Sequence, residues 1–380
     1  MAVVASISQQ IWDMKYRLKG PANGPIAGEP IDKTIEDTWR RVARAVAGPE
    51  RDPERWAERF YAAMSDFRFL PAGRVIAGAG AGRQVTLFNC FVMGAIPDDM
   101  GGIFAHLREA ALTMQQGGGI GYDFSTLRPK GTIVKGVGAD ASGPLSFMDV
   151  WDAMCRTIMS AGYRRGAMMA TLACDHPDIE AFIEAKREPG RLRMFNLSVL
   201  VTDAFMQAVE EDAPWELHFG GTVAKVLPAR ELWDKIMRAT YAYAEPGVIF
   251  IDRINRRNNL WYCEEIHATN PCGEQPLPPY GACLLGSINL ARLVRHPFED
   301  NASLDMVELE RLVTTAVRMM DNAIDVSRFP LEAQAQEARA KRRIGLGVTG
   351  LADALIFCRV RYGSPESLEL IKMWLAEKVE

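Results

Sequence analysis

The chain has 380 residues, 48% of them hydrophobic and 24% charged, with a formal net charge of −4. These values exclude a disordered, collagen-like or disulfide-scaffold protein, and they leave room for one large domain or a few ordinary ones. The acidic balance argues against a protein held to nucleic acid by bulk charge, and no apolar run reaches the roughly 18 residues that span a membrane. The N-terminus lacks the charged-then-apolar order of a signal peptide, so the expected location is cytoplasmic.

Residues 1–70 read as mainly helical. Thr34–Val46 has a helical apolar period and an acidic first turn, stopped by Gly48-Pro49, and a second helix is expected over Pro53–Met64. The glycines and proline of FLPAGRVIAGAGAGR (69–83) break any helix, which places a border near residue 70 between a helical region, 1–70, and a second domain, 71–380. From there strands alternate with helices: strands at Thr86–Val92, Gly121–Ser125, Leu197–Val201 and Val248–Ile251, and helices at Ile103–Gln116, Pro144–Ser160, Asp203–Glu210 and Leu232–Ala244. Such alternation implies crossover connections and a largely parallel sheet or barrel, an α/β fold. Further helices are expected over Ser303–Val326, Leu331–Lys341, Leu351–Phe357 and Pro365–Val379.

The seven cysteines form an odd set with no disulfide framework. Most read as buried free thiols. The segment NPCGEQPLPPYGAC (Asn270–Cys283) differs, because Pro271, Pro276, Pro278 and Pro279 forbid a regular helix there. If the chain is extended, Asn270, Cys272 and Glu274 share one face, bringing an amide, a thiol and a carboxylate together. A carboxylate disfavours a thiolate but tolerates a neutral thiol, which is the form that exchanges a hydrogen atom with a carbon radical. Two alternatives remain at this point. One is a proline-rich surface loop with an incidental cysteine. The other, a zinc site from Cys263, His267, Cys272 and Cys283, lacks paired ligand spacing.

The sequence NPCGEQPLPPYGACLLGSINL (270–290) resembles the active-site loop and following strand of the adenosylcobalamin-dependent (class II) ribonucleotide reductases. FLPAGR (69–74), FNCFVMG (88–94), QQGGGIGYDFSTLRPKG (115–131), GPLSFMDVWD (143–152), MFNLSVLVTDAFM (194–206) and RRIGLGVTGLADAL (342–355) resemble family blocks in the same order. The resemblance implies a helical N-terminal region followed by the first part of a ten-stranded α/β barrel with a central finger loop. It implies reduction of ribonucleotides, diphosphates by the closest likeness, to 2′-deoxyribonucleotides for DNA synthesis. By that likeness Cys272 is the thiyl-radical cysteine, Glu274 the base on the ribose 3′-hydroxyl and Asn270 the amide at the ribose hydroxyls. Cys90 and Cys283 supply the reducing equivalents and end as a disulfide. The implied cofactor is adenosylcobalamin, with no metal site of the chain's own. The implied partners are a deoxynucleotide or ATP effector, a thioredoxin-type reductant and a second copy of the chain, with no membrane and no direct nucleic acid. Because the family pattern continues beyond residue 380, a C-terminal completing chain is also expected. The alternatives are a class I type large subunit with a separate radical-generating subunit, and an inactive nucleotide-binding fragment.

For the allosteric nucleotide, the likeness points to Asp98 or Asp99, Arg128, Arg164 and Arg165. A surface arginine and a basic solvent loop are the alternative readings for Arg128 and for Arg164 and Arg165. The run Gly117–Gly121 reads by itself as a tight turn or close packing site. GLGVTG (345–350) matches a dinucleotide fingerprint literally, but charged residues precede it, so it reads as a family glycine block. The five histidines show no ligand spacing and receive no role.

Overall fold

A computed structural model describes residues 5–20, 27–134, 138–158 and 166–376. The chain gathers into two compact units: Met1–Asn89, Cys283–Arg328 and Ala338–Glu380 form one, Cys90–Ala282 and Phe329–Glu337 the other.

The first unit opens with α1 (Ser6–Lys15), α2 (Ile35–Val46) and α3 (Pro53–Met64), then β1 (Phe69–Pro71) and α4 (Gly73–Gly78). Helix α2 starts where expected because Thr34 and Asp37 cap each other's backbone N–H reciprocally. Its buried residues, Thr38, Trp39, Val42, Ala43 and Val46, fall on one helical stripe. Asp52 caps α3, with Pro53 in its first turn.

The second unit begins with β2 (Cys90–Val92), α5 (Met100–Gln115), β3 (Gly119–Asp123), α6 (Pro144–Thr157), β4 (Met168–Ala173) and α7 (Ile179–Ile183). It continues with β5 (Phe195–Val201), α8 (Asp203–Glu210), β6 (Pro214–Phe219), β7 (Thr222–Pro228), α9 (Ala229–Tyr243), β8 (Gly247–Phe250) and α10 (Ile251–Arg256), and ends in β9 (Ala268–Thr269) and β10 (Pro276–Leu277). Strands β2, β3, β4, β5 and β8 lie side by side in that order, all parallel. Helical crossovers between parallel strands produce this arrangement, as the alternation predicts. The pleat gives β3 two different faces. Tyr122 points toward the helices, where its ring lies 5.8 Å from Trp151 of α6 and its hydroxyl donates to the His106 carbonyl of α5 at 2.8 Å. Gly119 and Gly121 occupy the opposite face.

Back in the first unit are β11 (Ala282–Asn289), β12 (Val294–Arg295), β13 (Ser303–Leu304), α11 (Met306–Val326), β14 (Ile344–Thr349), α13 (Leu351–Phe357) and α14 (Pro365–Ala376), with α12 (Glu332–Lys341) shared between the units. Strand β11 pairs with β1 antiparallel and with β14 parallel. Arg318 of α11 grips Glu50 with two hydrogen bonds, at 2.7 and 2.8 Å. No described helix is long and apolar enough to cross a membrane.

Several sequence expectations shift. The strand at Thr86–Val92 shrinks to Cys90–Val92, because the Thr86 hydroxyl accepts from the Phe88 N–H and turns the chain. The strand expected at Gly121–Ser125 starts at Gly119, so its glycines belong to the sheet. The hairpin β6–β7 was not anticipated; it turns at Gly220 and Gly221, both with positive φ.

A Cβ built on Gly121 would lie 1.8 Å from the Thr269 carbonyl oxygen. Gly121→Ala is therefore expected to cost about 3 kcal/mol, read as a lower urea midpoint. Gly347→Ala, whose Cβ meets nothing within 4 Å, is expected to leave the midpoint unchanged.

Candidate active site

The proline-rich segment forms a short antiparallel hairpin, in which β9 pairs with β10 through Thr269 opposite Pro276. The turn is tight rather than extended. The Asn270 N–H donates to the Gln275 carbonyl at 3.2 Å, the Gly273 N–H donates to the Asn270 carbonyl at 3.0 Å, and the Gln275 N–H donates to Asn270 Oδ1 at 2.9 Å. Gly273 sits at φ +81°, where a side chain would strain the backbone. The face-sharing expected of an extended strand is therefore corrected. Asn270 is fully buried beneath the turn, while Cys272, Gly273 and Glu274 form its exposed tip. Asn270 Nδ2 is buried with no hydrogen-bond partner among the described residues.

The hairpin lies against the glycine face of the parallel sheet. A Cβ on Gly119 would meet Pro271 Cγ at 2.8 Å, and one on Gly121 would run into the Thr269 backbone. The run Gly117–Gly121 is thus a tight turn, with Gly117 at φ +99°, followed by a surface stripped of side chains. Strand β5 contributes Asn196, whose Nδ2 donates to the Pro271 carbonyl at 2.6 Å. The far end is tied down as well: the Val92 N–H donates to the Gly281 carbonyl at 2.9 Å, and the Tyr280 hydroxyl donates to Glu109 of α5 at 3.1 Å. Burial, then Glu109, pushes the Tyr280 hydroxyl up to about 12. Sequence reasoning passed over Asn196 and Tyr280. The signal for Asn196 was one exposed amide in a strand whose other residues, Ser198 included, are buried.

Beside the hairpin tip opens a cleft of about 710 Å³, lined by Val248, Ile249 and Phe250 of β8, by Arg253 and Arg256 of α10, and by Gly273. Both arginines also pair with Asp203.

Cys90 begins β2 in one unit and Cys283 stands on β11 in the other, each buried. For the allosteric set, Asp98 and Arg128 are bound to each other: Arg128 Nε donates to Asp98 Oδ2 at 2.8 Å, and its backbone N–H donates to Oδ1 at 3.1 Å. Asp99 caps α5 by accepting from the Gly102 N–H at 2.9 Å. Arg164 and Arg165 lie outside the described residues. Among the described residues no group of three or more His, Cys, Asp or Glu side chains is placed to hold a metal ion. In GLGVTG, Gly345 and Gly347 lie within β14 and only Gly350, at φ +68°, stands at the start of α13. That differs from a dinucleotide loop, whose glycines follow the strand.

Burial, with Asp152 adding to it, pushes the Cys155 thiol up to about 12, and burial does the same to Cys174. Such a thiol is ionised in roughly one molecule in ten thousand at pH 8, and the thiolate is the form that alkylates. Iodoacetamide at pH 8 is therefore expected to modify the exposed Cys263 and Cys272 and to leave Cys155 and Cys174 unmodified, as read by peptide mass spectrometry.

Residues 5–84 match the family model "Ribonucleotide reductase, all-alpha domain" and residues 88–377 match "Ribonucleotide reductase, barrel domain". The vitamin B12-dependent ribonucleoside-diphosphate reductase of Mycobacterium tuberculosis (strain CDC 1551 / Oshkosh) is 45% identical over 318 residues, covering 83% of this chain and 45% of that protein. The protein of the same name from Thermoplasma acidophilum is 42% identical over 315 residues, covering 82% of this chain and 40% of its own length. The ribonucleoside-diphosphate reductase subunit alpha of Chlamydia pneumoniae is 28% identical over 347 residues, with 82% and 33% covered. The chain spans less than half the length of these curated relatives. With both family models matched in order over nearly all its residues, the chain belongs to the ribonucleotide reductase family.

Proposed function

We propose that this chain carries the thiyl-radical site of a class II ribonucleotide reductase, which reduces ribonucleoside diphosphates to 2′-deoxyribonucleotides. The reading assigns residues 1–70 to a helical N-terminal region and 71–380 to part of the catalytic barrel. The observation that carries it is the hairpin: an exposed thiol at Cys272 above a buried amide, Asn270, whose Nδ2 has no partner among the described residues. A buried N–H without an acceptor costs about 1–3 kcal/mol, so a ligand oxygen that accepts from it adds binding energy at that spot. The greater identity to the two vitamin B12-dependent relatives, 45% and 42% against 28% for the subunit alpha, supports adenosylcobalamin as the cofactor.

The residues present fit such a group. The cleft beside Gly273 joins an apolar wall, Val248, Ile249 and Phe250, to the guanidinium groups of Arg253 and Arg256, and it opens at the hairpin tip that bears Cys272. These side chains would hold a large, partly apolar, phosphate-bearing molecule. When bound, adenosylcobalamin supplies a carbon-centred radical. Cys272 gives up its thiol hydrogen atom, and the resulting thiyl takes the 3′-hydrogen of the ribose. Glu274 accepts the 3′-hydroxyl proton while the 2′-hydroxyl, protonated by one thiol of the Cys90 and Cys283 pair, departs as water. Asn270 Nδ2 donates to a ribose hydroxyl. Cys90 and Cys283 furnish in all two electrons and two protons, the proton on the departing water included, and become a disulfide, which a thioredoxin-type protein reduces. Cys272 returns the 3′-hydrogen to the sugar, and the thiyl so regenerated recovers its own hydrogen atom at the end of the turn. Asp98, Asp99, Arg128, Arg164 and Arg165 remain the proposed contacts of a deoxynucleotide or ATP effector in a dimer.

The test mixes the purified chain with the polypeptide that supplies the rest of the relatives' length, adenosylcobalamin, a dithiol reductant and CDP. Formation of dCDP that requires the added cofactor is the expected result; turnover that instead requires a separate metal-bearing subunit, or no turnover, overturns the reading. In that assay Cys272→Ser is expected to abolish turnover. Glu274→Gln is expected to lower kcat by about 100-fold, the low end of what general base catalysis contributes.

A further inference from the structure

We infer that Asn196 is a positioning residue for Cys272: its amide grips the Pro271 carbonyl and so fixes the peptide from which the reactive thiol projects. The inference rests on the role proposed for Cys272. Within the hairpin, hydrogen bonds secure Asn270 and Gln275 and close the turn at Gly273. Pro271 has no N–H to give, so its carbonyl is the one backbone group through which this residue can be held. That carbonyl accepts from Asn196 Nδ2 at 2.6 Å. The donor stands on β5, between β4 and β8 in the parallel sheet, where Asn196 pairs in register with Met169 of β4. A second strand blocks the other direction of movement: Pro271 Cγ would lie 2.8 Å from a Cβ on Gly119 of β3. The residue before Cys272 is thus pulled by one strand and backed by another.

The location of the amide argues for a role at the site rather than in the core. Phe195 and Leu197 on either side are buried, whereas Asn196 is exposed on the face that carries the hairpin. An exposed strand position tolerates many side chains, so stability alone does not call for an amide there. Hydrogen-atom transfer requires donor and acceptor atoms close to van der Waals contact, and an error of about 1 Å in such an alignment can cost roughly 100-fold in rate. A single hydrogen bond to the neighbouring carbonyl is a direct means of setting that alignment.

The test reads the thiol itself, apart from turnover. Wild-type, Asn196→Ala and Asn196→Asp chains are alkylated with iodoacetamide at pH 8, and the rate at Cys272 is divided by the rate at Cys263, an exposed thiol outside the hairpin. Both substitutions remove the N–H donor, and Asp keeps the size. Release of Pro271 is expected to change the Cys272-to-Cys263 ratio by about threefold or more in both variants, with the thermal midpoint held within a few degrees. In the CDP assay, kcat is expected to fall about tenfold or more while KM stays within about twofold. An unchanged alkylation ratio in both variants overturns the positioning role, whatever reaction the protein performs, and so does a changed ratio in Ala alone. Absence of dCDP with the wild-type chain overturns the functional reading instead and leaves the alkylation result standing.

Discussion

The close approach of the Thr269–Pro271 backbone to β3 governs the geometry of the site. Two peptide segments meet where Gly121 would bring a Cβ within 1.8 Å of a carbonyl oxygen, so the contact exists only because positions 119 and 121 carry no side chains. Strand glycines normally weaken a sheet, since they add backbone entropy and bury nothing. Here the loss is offset on both faces. The alternate residues Ile120 and Tyr122 are fully buried against helices, and the bare face receives the hairpin. The same pleat thus builds a core on one side and a seat for the hairpin on the other.

How much of this was legible in the sequence follows from the range of each signal. The α/β order was legible, because amphipathic helices such as α2 and α9 carry their period within a few turns, and α2 carries its cap as well. Helix α8 was legible as well, capped by Thr202 at its start. Strand β4 was not. It is buried on both faces, so MMATLA shows no alternation, and a basic, glycine-bearing stretch precedes it. The hairpin β6–β7 had a local marker, Gly220-Gly221, which was passed over. In GLGVTG the motif itself misled: a regular expression cannot show that its first two glycines lie inside a strand paired with β11.

The site divides along the same line. Prolines excluded a helix over Asn270–Cys283, and that held. They did not decide between an extended chain and a turn. The decision came from Asn270, whose side chain accepts from the Gln275 N–H as a backbone carbonyl would, and from the left-handed Gly273. Asn196 and Glu109, each distant in sequence from the hairpin they hold, were beyond the reach of a local reading. Contacts of this kind emerge only once the strands have been placed side by side.

The polar groups around the hairpin are mostly amides and backbone, with charge kept to the periphery. Asn270 and Asn196 secure it through neutral hydrogen bonds, Arg253 and Arg256 line the cleft beside it, and Glu274 shares the exposed tip with Cys272. A guanidinium or ammonium group in place of either amide would favour the thiolate and draw the cysteine toward two-electron nucleophilic chemistry. Amides fix position without biasing that ionisation.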